Sequence, residues 1–136
     1  MRHVSKVWKN HADLPRTAGS YEVSCSGRLI LSKCEFNPGF LFRARGLLGR
    51  NGLEQWAGIL LRPCNSIHML FMKFAIDAVF LDQSGFVLHI CQHLPPWRFS
   101  PIVWRSAAVL EMATGIIAAR RIRPGAQLTF KHLPRS

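Results

Sequence analysis

The sequence predicts a mainly β domain, sandwich- or barrel-like and of jelly-roll type, with one or two short helices. Three observations lead there. Short apolar runs recur along the chain, several of them alternating with polar residues at a period of two. Turn formers separate the runs: Ser26-Gly27, Asn37-Pro38-Gly39, Asp82-Gln83-Ser84-Gly85 and Arg123-Pro124-Gly125. With 136 residues and 49% hydrophobic content, the chain has the size of one domain, which buries about two-thirds of its unfolded surface without disulfide staples.

Residues 1–20, basic and interrupted by Pro15, read as a frayed lead-in, and residues 21–136 as the single β-rich domain. Tyr21, Val23 and Cys25 alternate with polar partners in a first strand; Ser26-Gly27 turns the chain, and Arg28 to Phe36 returns it. Residues 40–50 suit a short helix, with Leu41, Ala44 and Leu48 at helical spacing and Gly49 as terminator. Gly58 to Arg62 is an apolar strand stopped by Pro63. Ser66 to Phe71 and Ile76 to Leu81 read as two more strands. Asp82 to Gly85 then makes a hairpin with Phe86 to Cys91, the clearest such signal in the chain. Residues Ile67 to Cys91 should therefore supply the central strands. Ser106 reads as the N-cap of a helix through Met112, with Gly115 just beyond its end. Arg123-Pro124-Gly125-Ala126 leads into a final strand, Gln127 to Phe130.

Eighteen Lys and Arg against seven Asp and Glu give a net charge of +11. Such an excess bears on partners more than on fold. No apolar run approaches the roughly eighteen residues of a membrane span, so no membrane partner is expected. The first twenty residues lack the apolar core of a secretory signal. Cys25, Cys34, Cys64 and Cys91 are widely spaced, with no C-x-x-C, and read as packed thiols of a cytoplasmic protein. Nothing in the sequence sets an oligomeric state.

One ordered set of motifs spans nearly the whole domain: Arg45-Gly-Leu-Leu-Gly-Arg50, then Ser66-Ile-His-Met-Leu-Phe-Met-Lys-Phe-Ala-Ile-Asp-Ala-Val-Phe-Leu-Asp82, Gly85, Pro96-Trp97-Arg98, Val109-Leu110-Glu111, Gly115 and Pro124-Gly125-x-x-Leu-x-Phe130. It resembles the domain-of-unknown-function family one-hundred-and-ninety-two, from about Arg28 to Phe130. The resemblance implies a compact, mainly β fold of sandwich type and implies no activity. Leu48 stands where that family often has Met, a volume-conserving apolar change. Ala75 stands where it often has Pro, which frees the backbone ahead of Ile76.

Several constellations could carry chemistry. Cys64 and His68 have the spacing of a thiol–imidazole pair, a nucleophile or part of a metal site. His89, Cys91 and His93 alternate, so an extended strand places them on one face. Without a tight ligand pair, the reading is packed cysteines and solvent-edge histidines, with no metal and no cofactor. Asp77, in an apolar strand, needs a partner if buried; Arg98 is the first choice, ahead of Lys73 and backbone N–H groups. Glu111 with Asp77 would make an acid and a base, but helix surface or an ordinary salt bridge is the simpler account. Trp56, Trp97 and Trp104 fall in loops, where they cap the sandwich ends or line a groove. The basic clusters suggest nucleic acid, but no helix-turn-helix, RNP-like or zinc-finger pattern accompanies them, so only weak, nonspecific contact is expected.

The leading expectation is a non-enzymatic binding module for a small anionic ligand or a protein segment, using an end-loop surface of His68, Asp77, Trp97 and Arg98. Arginine holds a carboxylate or phosphate, and tryptophan supplies apolar area beside it. The rivals are a thiol- or metal-dependent enzyme built on Cys64, His68 and Asp77, with Glu111 as a further catalytic candidate, and a basic nucleic-acid-associated protein.

Overall fold

The computed structural model describes residues 14–39, 42 and 46–135. Seven strands and one short helix are found among them: β1 Gly19–Cys25, β2 Arg28–Phe36, β3 Ala57–Leu61, β4 Ile76–Leu81, β5 Val87–Leu94, β6 Ala108–Ala113, α1 Ile116–Arg120 and β7 Leu128–His132. The strands form a single sheet in the order β5-β4-β6-β3-β2-β1-β7, curled into a half-barrel. The mainly β, barrel-like class therefore holds, built from one curled sheet.

Local turn chemistry sets both predicted hairpins. Cys25 faces Arg28 across Ser26 (φ 52°) and Gly27 (φ 77°), two left-handed residues whose twist matches that of the flanking strands. At the second hairpin, Asp82 Oδ1 accepts the backbone N–H of Ser84 and of Phe86, each at 2.9 Å. Gly85 (φ 85°) completes that turn. The two outer strands then meet at one end: Val87 N–H donates to Ala126 O, and Gly125 N–H to Val87 O, both at 2.8 Å.

Three expected elements come out differently. Residues 108–113 form strand β6, where a helix was expected over 106–112. Ala, Leu, Glu and Met favour helices, but β6 is hydrogen-bonded to β3 on one edge and β4 on the other, and sheet pairing outweighs that propensity. Ser66 to Phe71 is a loop carrying a single bridge, His68 with Phe99, and Phe71 itself has a left-handed φ of 64° that ends any extended run. Helix α1 starts after Gly115 (φ 91°), so this glycine precedes a helix instead of ending one. Of the expected central strands, β4 is interior and β5 lies at the sheet's edge. The helix expected over 40–50 falls largely outside the described residues; within them, Phe42 is helical, Gly46 N–H donates to Phe42 O at 2.9 Å, and Gly46–Gly49 forms a turn.

Of the basic lead-in, residues 1–13 lie outside the described residues. Leu14 is buried in the core, and its carbonyl accepts the Arg62 guanidinium at 3.2 Å. The sheet buries both faces. Val23, Ile30, Leu60, Val79, Leu110 and Met112 fill the enclosed face. Ile59, Leu61, Ala78, Phe80 and Val109 point to the opposite face, where Leu47, Ile67, Met69 and Met72 from the loops cover them. Among the described residues no helix is long and apolar enough to cross a membrane.

Candidate functional site

The loops 62–75 and 95–107 run antiparallel and are laced together. Cys64 N–H donates to Ala107 O (3.1 Å), Val103 N–H to Asn65 O (2.8 Å), Ser100 N–H to Ile67 O (2.9 Å) and Met69 N–H to Arg98 O (2.7 Å). Trp97 N–H returns to Met69 O at 2.7 Å. Ser100 is buried, and its Oγ accepts Ile67 N–H at 2.8 Å. Such lacing gives irregular chain the rigidity of a sheet, because its polar backbone groups are paired.

On that frame the apolar side chains point outward. Phe71 is 66% exposed, Trp97 57%, Phe99 67%, Ile102 54% and Trp104 80%. Phe71 and Trp97 meet edge to face at 4.9 Å, and Phe99 lies 6.5 Å from the His68 ring. The charged residues of the two loops are Arg62, Lys73, Arg98 and Arg105, with no acid. Trp97 sits at a positive φ of 69°, so its ring is presented by a sharp turn at the end of the lacing.

Beneath the loops lies a cavity of about 330 Å³. Leu47, Leu48, Leu61, Ile67, Met69 and Met72 supply its apolar wall, and Cys64, His68 and Glu111 also line it. Glu111 comes from β6 and is buried, 6% exposed. Burial pushes its carboxyl pKa up to about 7. Among the described residues no donor is hydrogen-bonded to this side chain. The Gly46 turn closes over it: a Cβ there would lie 3.8 Å from Glu111 Oε1.

Asp77 belongs to the other face. Ladder register sets Asp77 opposite Met112 and Ala78 opposite Glu111, so the two carboxylates point to opposite sides of the sheet and cannot act as one acid–base pair. Asp77 is 1% exposed. Its Oδ1 accepts His93 N–H at 2.9 Å, while Oδ2 accepts Gly115 N–H at 3.1 Å and Ile117 N–H at 3.0 Å. The ion pair expected between Asp77 and Arg98 is thus replaced by three backbone donors, and Arg98 stands exposed on the loop face.

Of the expected site residues, His68, Trp97 and Arg98 share the loop face, and Cys64, His68 and Glu111 share the cavity. Cys64 Sγ donates to Ser66 O at 3.2 Å, and His68 Nδ1 accepts Leu70 N–H at 3.3 Å. The expected alternation of His89, Cys91 and His93 stops at a bulge. His89 and Cys91 pair with Phe80 and Ala78, but the register then shifts, and His93 turns to φ 53° and gives its N–H to Asp77. Among the described residues no group of three or more His, Cys, Asp or Glu is placed to hold a metal. Trp56 is not part of the loop face; it is partly buried against the enclosed core, with the Arg120 guanidinium 3.8 Å above its ring.

A half-barrel made of one curled seven-stranded sheet defines the class of domain. The DUF192 family, described as an uncharacterized ACR, matches residues 26–130. The chain belongs to that family. A UPF0127 protein of Pyrococcus furiosus is 30% identical over 112 residues, covering 79% of this chain and 94% of that protein. Another, of Thermococcus sibiricus, is 29% identical over 96 residues, covering 67% of this chain and 61% of that protein. A solved structure of a protein of unknown function from Novosphingobium aromaticivorans shares the fold, with TM-score 0.71, 21% identity, and coverage of 87% of this chain and 91% of that one. So does a Sinorhizobium meliloti protein whose name proposes that it regulates transcription: TM-score 0.70, 23% identity, coverage 86% and 98%.

Proposed function

We propose that the chain is a non-enzymatic binding module whose laced loop face recognises a protein segment bearing an acidic side chain beside an apolar anchor. The observation that carries this reading is the row of outward rings on a hydrogen-bonded frame, with Phe71 packed on Trp97 and Arg98 next to it. Exposed apolar patches with tryptophan and arginine mark recognition surfaces. The frame is already ordered, which lowers the entropy lost on binding. Arg98 is exposed and among the described residues makes no ion pair, so its guanidinium is available to a carboxylate. Four thiols suit a cytoplasmic setting for this role.

Selection of peptides from a random display library on the purified protein tests it. Enriched peptides should combine an aromatic or leucine anchor with Asp or Glu. Trp97→Ser should weaken them by about tenfold or more, and Arg98→Gln should erase the preference for the acid. Absence of enrichment, or equal binding by Trp97→Ser, overturns the reading.

A second reading, contact with nucleic acid, is favoured by the +11 charge and by the name of the Sinorhizobium meliloti protein. Competition binding separates the two. Affinity that collapses with salt and ignores sequence is nonspecific counterion release; a preference for one DNA sequence over bulk competitor would favour regulation.

A further inference from the structure

The cavity under the loops shares His68 with the loop face, but Phe71, Trp97, Phe99, Ile102 and Trp104 are not among its lining residues. Glu111 stands in a wall that is mainly leucine, isoleucine and methionine, with Cys64, Asn65, Ser66 and His68 at its polar side; it is more than nine-tenths buried and without a hydrogen-bond donor among the described residues. Buried polar groups are ordinarily paired, and an unpaired one in a concave apolar pocket points to a ligand. Structure alone gives this carboxyl little to do. Among the described residues it holds no turn and caps no helix, unlike Asp77 with its three N–H donors. Glutamine, or an apolar residue as in Val109 on the same face, would occupy β6 without the cost of desolvating a carboxyl.

We propose that this cavity is a binding site for a small primary amine with an apolar body, its ammonium group donating to the Glu111 carboxylate and its body lying against Leu47, Leu61, Met69 and Met72. The chemistry of the wall selects that class. A carboxylate accepts hydrogen bonds and attracts positive charge, and among the described residues no lysine or arginine lines the cavity to attract an anion. Methionines on one wall are soft and adaptable, suited to an apolar group of variable shape. At about 330 Å³, the space falls at the small end of ligand sites, which span about 300–1,000 Å³. An acid of the same size would set its own charge against that of Glu111.

Three probes of matched shape test this: phenethylamine, phenethyl alcohol and hydrocinnamate, titrated by calorimetry into the wild-type protein at pH 8 and low salt. The amine should bind most tightly and the acid least. Glu111→Gln should weaken the amine by about tenfold or more, the loss of a charge-assisted hydrogen bond, and leave the alcohol unchanged. Leu48→Trp, which fills the cavity from its wall without touching charge, should abolish binding of both. A wild-type protein that binds none of the three, or binds hydrocinnamate as well as the amine, overturns the proposal. So does unchanged amine binding by either variant. Should Glu111→Gln not fold, the amine–acid comparison on the wild type and Leu48→Trp still decide. None of these outcomes depends on the loop face, whose own test is peptide binding.

Discussion

Asp77 Oδ2 accepts the backbone N–H of Ile117 at 3.0 Å across forty residues of chain. Through this oxygen and its neighbour, β4 fixes the bulge of β5 at His93 and the start of α1 at Gly115. One buried carboxylate thus ties an edge strand and a helix to the sheet interior, and hydrogen bonds of this charged kind are the stronger ones.

Asp77→Asn presents an amide nitrogen to at least one of these donors, setting N–H against N–H. Hydrogen bonds to charged groups are worth about 1.5–3 kcal/mol, so a loss of about 2–4 kcal/mol in denaturant unfolding is expected. Arg98→Met, on the exposed loop face, should change stability by less than about 0.5 kcal/mol. Their coupling energy in the double mutant should be near zero. A coupling above about 1 kcal/mol would restore the ion pair.

The contrast between Asp77 and Arg98 shows what can be read from a sequence. An isolated carboxylate in an apolar strand announces that it needs partners, but its partners are chosen by tertiary folding, and backbone donors carry no sequence signature. The two hairpins are legible because Ser26-Gly27 and Asp82 to Gly85 encode their turns locally. β6 is not, because Ala108–Ala113 is buried on both faces and so has no alternation to distinguish strand from helix. That one misreading hides Glu111. As part of a helix it is a surface acid; paired with β3 and β4, it enters a cavity. Trp97 and Arg98 are legible as surface groups because the prolines before them exclude regular structure, whereas the exposure of Phe71 and Phe99 depends on how the two loops are laced.

Glu111 should make stability depend on pH in an unusual direction. The fold holds its proton up to about pH 7, against 4.5 ordinarily. The folded state therefore binds more protons than the unfolded state between those values, and stability must fall as pH rises through that window. Below pH 4.5 the group is neutral in both states and contributes no penalty. Above about 7 the penalty is complete, roughly 3 kcal/mol by linkage. Glu111→Gln should remove this slope and be the more stable protein at pH 8. Taking the difference between the two proteins isolates the contribution of Glu111. Parallel stability–pH curves would contradict the assignment.

Two glycines in turns should differ in how much a side chain costs. Gly85 has φ 85°, and a Cβ there would lie 2.5 Å from the Leu128 carbonyl oxygen, at the junction that closes the sheet. Gly85→Ala combines a left-handed backbone with a clash against main chain, and about 2–4 kcal/mol should be lost. Gly27 has φ 77° with nothing within 4 Å of its Cβ position. Gly27→Asn should cost less than about 1 kcal/mol, since asparagine tolerates that conformation. Thermal unfolding of the two variants against wild type measures the difference.

The lacing that presents the rings hangs in part on one hydroxyl. Ser100 Oγ accepts Ile67 N–H at 2.8 Å and donates to Pro101 O at 2.9 Å. Removing it with Ser100→Ala leaves a buried N–H unsatisfied, a loss of about 1–3 kcal/mol. The damage should be local, because the sheet beneath keeps its own ladder. Hydrogen exchange should therefore quicken at Ile67, Met69 and Val103, whose amides span the two loops, and stay unchanged at Val79 and Leu110 in the interior. Peptide binding should weaken along with it even though no ring has been altered, since Phe71 and Trp97 meet only while their loops are held together. Uniformly faster exchange across the sheet would show instead that Ser100 supports the whole fold, and intact peptide binding would show that the face needs no such frame.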